Sequence, residues 1–275
     1  IKAGGKIIHD AFNATEAANL VVDQAEKEIF EISQTRTGDD PQSLGELITR
    51  TWELLEMRRE SGEVLSGVET DFRVLDEKLG GLQKSDLIIL AAGPSVGKTA
   101  LAMNMAEYIA VDSHRPVAVF SLEMSRQQLA ERLLCSRAGV SLHRLRGGHL
   151  SEGEVRRLQE RSDELKQAPM YIDDTPGLSV LSLRAKARRL KLQHEIQAIF
   201  IDYLQLMTSP GAESRQQEVS EISRGVKALG RELEVPVVCL SQLNRNPEGR
   251  ESKRPMLSDL RESGAIEQEI GRAHV

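Results

Sequence analysis

Cysteine is scarce: the 275 residues hold two, Cys135 and Cys239, in a predicted helix and a predicted strand and with no metal-ligand spacing. That excludes a disulfide-stapled secreted scaffold and a cysteine-built zinc module, and it suits reduced thiols serving as buried filler in a cytosol. Long apolar runs are also missing, since nothing approaches the ~20 residues needed to span a bilayer. The opening Ile1-Lys-Ala-Gly-Gly-Lys6 has neither a start methionine nor the apolar stretch of a signal sequence, so a soluble cytoplasmic chain entered part-way is expected. An excess of positive charge is absent too. With 36 basic and 42 acidic residues the net charge is −6, so any polyanion site must be a local basic surface or a lining assembled between subunits. There is no internal repeat and no low-complexity tract. What is present is 40% hydrophobic residues, enough for one large α/β domain with a small accessory piece.

The chain is organised around the stretch from Asp86 to Thr99. An apolar strand, Leu87 to Ala91, empties into a loop ending Gly97-Lys98-Thr99, and a helix-forming run follows from Ala100 to Ile109. Strand, phosphate loop and helix in that order make a nucleotide cradle. Backbone N–H groups of Gly93, Pro94's neighbours Ser95 and Val96, and Gly97 through Ala100 can surround a polyphosphate at a helix N-terminus. Lys98 can neutralise the β and γ phosphates and Thr99 can hold Mg²⁺. Gly93, Pro94, Ser95, Val96, Gly97, Lys98, Thr99 and Ala100 are therefore the expected nucleotide-binding residues. The first glycine of the usual pattern is Ala92 here, the mildest replacement.

Before this loop, apolar residues from Ala17 to Ile32 recur at three and four positions and predict an amphipathic helix over 15–34. Residues 35–42 are polar, contain Gly38 and Pro41, and read as a linker. Ser43 with Glu46 forms a capping box opening a helix to Arg59, a rod of about 25 Å. Its stripe of Leu44, Leu47, Ile48, Trp52, Leu55 and Met57 needs a partner, either the same chain's larger domain or a neighbouring subunit, and Gly62 and Gly67 after it suggest a flexible tether.

Beyond Gly80-Gly81, strands at Leu87–Ala91, Val117–Ser121, Met170–Ile172, Ile199–Ile201 and Val237–Leu240 alternate with helices, which predicts a mostly parallel sheet covered on both faces. In such sheets ligands sit beyond the carboxyl ends of the strands. Asp202 ends one strand and suits a metal partner for Thr99. Glu123 follows another and could polarise the water attacking a γ-phosphate; its bland alternative is a helix-entry acid favoured by the helix dipole. Ser125 with Gln128 makes a capping box beside it. Gln242 ends a third strand with a neutral amide able to sense a phosphate. The basic run Arg184, Lys186, Arg188, Arg189, Lys191 reads better as the solvated face of an outer helix than as a binding site.

Taken together, Ala92-Gly-Pro-Ser-Val-Gly-Lys-Thr99, Ser121-Leu-Glu-Met-Ser125, Ile201-Asp-Tyr-Leu-Gln-Leu-Met207, Glu218 to Leu229, Val235 to Arg245 and Arg254 to Gln268 resemble the motif series of the DnaB-type replicative DNA helicases. The resemblance implies a RecA-like P-loop motor, residues 67–268, that assembles as a homo-hexamer around single-stranded DNA and hydrolyses ATP or another nucleoside triphosphate with Mg²⁺. It implies that residues 35–66 are a linker whose helix, 43–59, docks on the next subunit, and that 1–34 are a remnant of a helical N-terminal domain. Primase and a helicase loader are the implied partners of the full-length protein, with no membrane. By the same resemblance Glu123 is the catalytic base, Asp202 the metal partner of Thr99, Gln242 the coupling residue and Arg132 a nucleotide contact. Arg261, Glu262 and Gly264 match the loop that meets the DNA backbone. Six such arginines would form a positive collar, and binding should weaken by about 0.7 log units per phosphate per log of salt.

The last seven residues, Glu269 to Val275, do not resemble the family's continuation. They can be encoded by a common sequencing-library adapter, so a non-native tail is expected there. The family's arginine finger lies further on. Because such a finger contributes about 10³ to 10⁵ in rate, slow hydrolysis by this chain is expected. The alternative function is a RecA-like, ATP-gated filament or clamp on single-stranded DNA that does not unwind it.

Overall fold

The computed structural model describes residues 2–13, 43–61, 65–209, 214–243, 256 and 259–260. The chain divides into two compact units, 1–64 and 65–275. In the first, α1 spans Lys2–Asn13 and α2 spans Leu44–Ser61. α1 falls where two glycines, Gly4 and Gly5, hide the helical signal. The capping box of α2 forms as expected: Ser43 N–H donates to Glu46 Oε2 at 3.0 Å and Glu46 N–H to Ser43 Oγ at 3.3 Å. Its Leu44, Leu47, Ile48, Trp52, Leu55 and Met57 are all exposed. The helix expected over 15–34 and the linker over 35–42 lie outside the described residues.

The second unit is an α/β layer structure. Its elements in chain order are α3 (Arg73–Leu79), β1 (Leu87–Ala92), α4 (Lys98–Glu107) continued by a π-turn, β2 (Val117–Ser121), α5 (Arg126–Ala138) and α6 (Leu142–Gly147). Next come α7 (Glu152–Gln167), β3 (Met170–Asp173), α8 (Val180–His194), β4 (Ala198–Asp202), α9 (Arg215–Leu233) and β5 (Val237–Gln242). The five strands form one sheet in the order β1-β5-β4-β2-β3, and every pairing is parallel.

Strand alternation divides the core between two faces. Ile199 and Ile201 of β4 pack with Phe120, Leu183, Ile222 and Val226 on the α8/α9 side. Ala198 and Phe200 pack with Val119, Met103, Ala106 and Leu129 on the α4/α5 side. Full burial of each large side chain contributes about 1.5–3 kcal/mol, and Phe120, Phe200 and Ile199 are essentially inaccessible. Both cysteines are buried, Cys135 in α5 and Cys239 in β5.

Two expectations are corrected. Gly67 is not a flexible tether. Its N–H donates to the Gly80 carbonyl at 2.9 Å, and a Cβ on it would come within 2.5 Å of the Leu82 carbonyl oxygen, so glycine is required for this close approach. Nor is the basic face of α8 simply solvated. Arg184 and Arg188 both pair with Glu232 of α9, and Lys186 Nζ lies 2.6 Å from Asp173 and 2.6 Å from the Thr175 hydroxyl. Burial alone would raise the Glu232 carboxyl, but the Arg188 and Arg184 hydrogen bonds outweigh it and hold the group below its ordinary value.

Candidate active site

β1 delivers the chain to the loop at 93–97, whose shape rests on two left-handed residues, Ser95 at φ 60° and Gly97 at φ 108°. A Cβ on Gly97 would meet nothing within 4 Å, so backbone conformation alone demands glycine there. Gly97 caps α4, and its carbonyl accepts the Leu101 N–H at 3.0 Å. The N–H groups of Lys98, Thr99 and Ala100 occupy the helix's first turn, where a helix has no internal acceptor to offer. Gly93, Pro94, Ser95 and Val96 form the loop leading into it, with Val96 at its exposed tip.

Side chains from three elements meet here. Lys98 Nζ lies 3.4 Å from Asp202 Oδ1 and 3.4 Å from Glu123 Oε2. The Thr99 hydroxyl donates to Asp202 Oδ2 at 2.7 Å. Asp202 and Lys98 are nearly sealed, their side chains 8% and 11% exposed, whereas Glu123 is 52% exposed and can reach solvent. The sheet order explains the meeting. β4 lies between β5 and β2, so Asp202 sits opposite Ser121, two residues before Glu123, in the β2–β4 register. The turn into Glu123 is pinned by Ser121, whose hydroxyl donates to the Met124 carbonyl at 2.7 Å. Ser125 then caps α5, with Gln128 completing the reciprocal pair.

Gln242 ends β5 opposite Ala92, the last residue of β1, so the residue lies next to the end of the strand that launches the phosphate loop. Arg132 does not join the group. It is exposed on α5 and has no hydrogen-bond or ion-pair partner among the described residues. Arg261, Glu262 and Gly264 lie outside the described residues. Just before them, Leu260 forms an antiparallel bridge with Leu243, and Asp259 Oδ2 accepts the Met256 N–H at 2.8 Å.

Sequence reasoning missed Tyr203. The Lys98 ammonium sits 4.5 Å from its ring centroid, within cation–π range. Its position directly after the strand-ending Asp202 was the available signal. The donor set around Asp202 is a hydroxyl and a carboxylate, the oxygen ligands that Mg²⁺ takes alongside substrate phosphates. Among the described residues, no group of three or more His, Cys, Asp or Glu could cage a metal on its own.

Residues 67–271 match the family model for the DnaB-like helicase C-terminal domain. The chain belongs to that family. It is 45% identical over 271 residues to the replicative DNA helicase DnaB of Geobacillus stearothermophilus, covering 98% of this chain and 60% of that protein. Against the Bacillus subtilis replicative DNA helicase DnaC it is 42% identical, with the same coverage. The chain thus spans about 60% of the length of these relatives. Among solved structures, a DnaB-like replicative helicase, studied with its interactions with primase, superposes with a TM-score of 0.82 at 31% identity, covering 98% of this chain and 62% of that one. A second solved structure, an isolated ATPase domain, gives 0.78 at 34% identity, covering 84% of this chain and 82% of that one. The DnaB-type resemblance and the RecA-like α/β fold are thereby borne out. Among the described residues no helix is long and apolar enough to cross a membrane.

Proposed function

We propose that this chain carries the motor of a replicative DNA helicase, which hydrolyses ATP at subunit interfaces of a homo-hexamer and moves along single-stranded DNA to separate the duplex. The observation that carries this reading is the convergence of Lys98, Thr99, Asp202 and Glu123 at the exits of β1, β2 and β4.

In this reading the loop from Gly93 to Ala100 surrounds the β and γ phosphates with N–H donors. The Lys98 ammonium turns from its two carboxylates toward the phosphate oxygens. Thr99 and Asp202 would hold Mg²⁺, which when bound would supply positive charge against the phosphates. Glu123 accepts a proton from water as its oxygen bonds to the γ-phosphorus and the bond to the β-phosphate oxygen breaks. The half-exposed position of Glu123 lets that proton return to solvent. Gln242, beside the phosphate loop, senses whether a γ-phosphate is present and passes that state to the DNA side. Arg132 is offered as a nucleotide contact and Arg261, Glu262 and Gly264 as contacts to the DNA backbone. Primase and a loader are partners of the full-length cytoplasmic protein.

The test is ATP-dependent unwinding of a forked duplex by the full-length gene product beside its Glu123→Gln form. The expected result is unwinding that the substitution abolishes while rings persist by electron microscopy. Open filaments that hydrolyse ATP without unwinding would replace the motor with an ATP-gated DNA-coating protein.

A further inference from the structure

We propose that Gln205 is a positioning residue that couples the end of β5 to the segment leaving β4, and so links the strand that ends in Gln242 to Ser209 and the head of α9. This rests on the motor reading above and adds to it a residue which that reading does not use.

The backbone ladder between β4 and β5 stops short of the site. Its last pair is Ile201 with Cys239, yet β4 continues to Asp202 and β5 to Gln242. Past that point a side chain spans the gap. Gln205, on the single 3₁₀ turn Leu204–Leu206, donates from Nε2 to Ser241 Oγ at 2.8 Å, and Ser241 is the residue before Gln242. Ser241 is buried.

The same residue reaches the other way. The Gln205 carbonyl accepts from the Arg215 guanidinium at the head of α9. Arg215 pairs with Glu218, and Glu218 Oε1 accepts the Ser209 N–H at 3.0 Å. Ser209 is held again by Glu221, to which its hydroxyl donates at 2.7 Å. One residue thus touches both the strand bearing Gln242 and Arg215 at the head of α9, and through Arg215's partner Glu218 it is connected to Ser209.

The chemistry of the amide says what glutamine is there for. Its Oε1 is sealed from solvent and has no hydrogen-bond partner among the described residues. A buried acceptor left unpaired is unfavourable. Methionine has nearly the same length and volume and carries no such oxygen, so on packing grounds alone it would serve at least as well. What glutamine supplies and methionine cannot is the bond to Ser241.

The experiment compares Gln205→Met, Ser241→Ala and the double variant in the full-length gene product. Gln205→Met removes the orphaned Oε1 but also leaves the buried Ser241 hydroxyl without its donor, so its melting temperature should change little, and a non-hydrolysable ATP analogue should bind within about threefold of the parent. Stimulation of ATP hydrolysis by single-stranded DNA should fall by about tenfold, within the usual range for coupling between sites. The double variant should be no worse than either single. Unchanged stimulation, losses that multiply in the double variant, or a lower melting temperature in step with weaker analogue binding would each overturn the proposal.

Hydrogen exchange separates this proposal from the motor reading. In the parent, the analogue should protect residues 239–243 and 203–209 together; in Gln205→Met, protection should remain at 239–243 only. Equal spread in both proteins overturns the Gln205 link even if the motor reading stands. A parent without DNA-stimulated hydrolysis, or with analogue binding indifferent to Lys98→Ala, overturns the motor reading, and the exchange pattern still decides the link.

Discussion

The Thr99 hydroxyl donates to Asp202 Oδ2 across 2.7 Å, joining the first turn of α4 to the last residue of β4. Two residues 103 positions apart in sequence are thus already set as a pair of oxygen donors. Because Asp202 is almost sealed from water, its charge is offered to the site rather than to solvent. Asp202→Asn should keep the fold while lowering hydrolysis by about 10²–10³, the usual loss on removing one preorganised electrostatic group. It should also raise the Mg²⁺ concentration needed for half-maximal nucleotide binding. Steady-state hydrolysis and a Mg²⁺ titration of a fluorescent analogue check both.

Glu123 and Lys98 divide the work differently. Glu123 is half exposed and touches only Lys98 among the described site residues, so Glu123→Gln should leave analogue affinity within about threefold and lower hydrolysis by about 10²–10⁴, as loss of a general base does. Lys98→Ala removes the ammonium that the proposed reading assigns to the phosphates and should weaken binding itself. Measuring affinity and turnover on the same preparations separates them: a Glu123→Gln variant that fails to bind would assign Glu123 to binding rather than proton transfer.

Much of this site was legible because its signals are local. Gly97, Lys98 and Thr99 read as a phosphate loop from spacing alone, and the Ser43/Glu46 and Ser125/Gln128 capping boxes are patterns with partners three residues apart. The strands were legible too, each within a residue or two, and the extra residues of β4 and β5 include Asp202 and Gln242 themselves. What stayed hidden depends on partners far along the chain. Nothing near Arg184 and Arg188 announces Glu232, which lies 44 residues beyond Arg188. Gly67 looked like a hinge because its neighbour across the bridge, Leu82, is brought there only by the turn at Gly80 and Gly81. The order β1-β5-β4-β2-β3, which sets which strand ends share a cavity, follows from packing over the whole sheet and not from any one stretch.

Gly225 offers a stability test away from the site. A Cβ there would lie 2.5 Å from Val180 Cγ1, where α9 crosses the start of α8, and valine has little rotamer freedom with which to move aside. Gly225→Ala should therefore destabilise by about 1–3 kcal/mol despite alanine's better helix propensity. Gly153, near the start of α7, has nothing within 4 Å, so Gly153→Ala should be neutral or stabilise by about 0.4–1 kcal/mol. Urea unfolding of the two variants gives opposite signs if the contact with Val180 is the cause.

Two glutamates, Glu107 buried and Glu232 partly so, should give opposite responses to pH. Burial tends to raise Glu232, but hydrogen bonds from Arg188 and Arg184 prevail and lower its carboxyl from the ordinary value of 4.5. A depressed carboxyl contributes stability that is fully present above its unfolded value and is lost as pH falls through the folded one. Glu232→Gln should thus cost about 1–3 kcal/mol at pH 7, a loss typical of charge-assisted hydrogen bonds, and should flatten the decline in stability below about pH 4.5. Glu107 behaves the other way. Burial is the largest influence and raises its carboxyl, and Arg137, at 3.6 Å and also engaged by Asp112 and Glu164, offsets this only in part. A raised carboxyl favours the folded state at low pH and opposes it once pH passes the unfolded value. Glu107→Gln should therefore be neutral or stabilising at pH 7 and lose that advantage on acidification. Thermal unfolding of both variants between about pH 4 and pH 8 reads the two slopes, and parallel curves would refute the assignment of opposite roles.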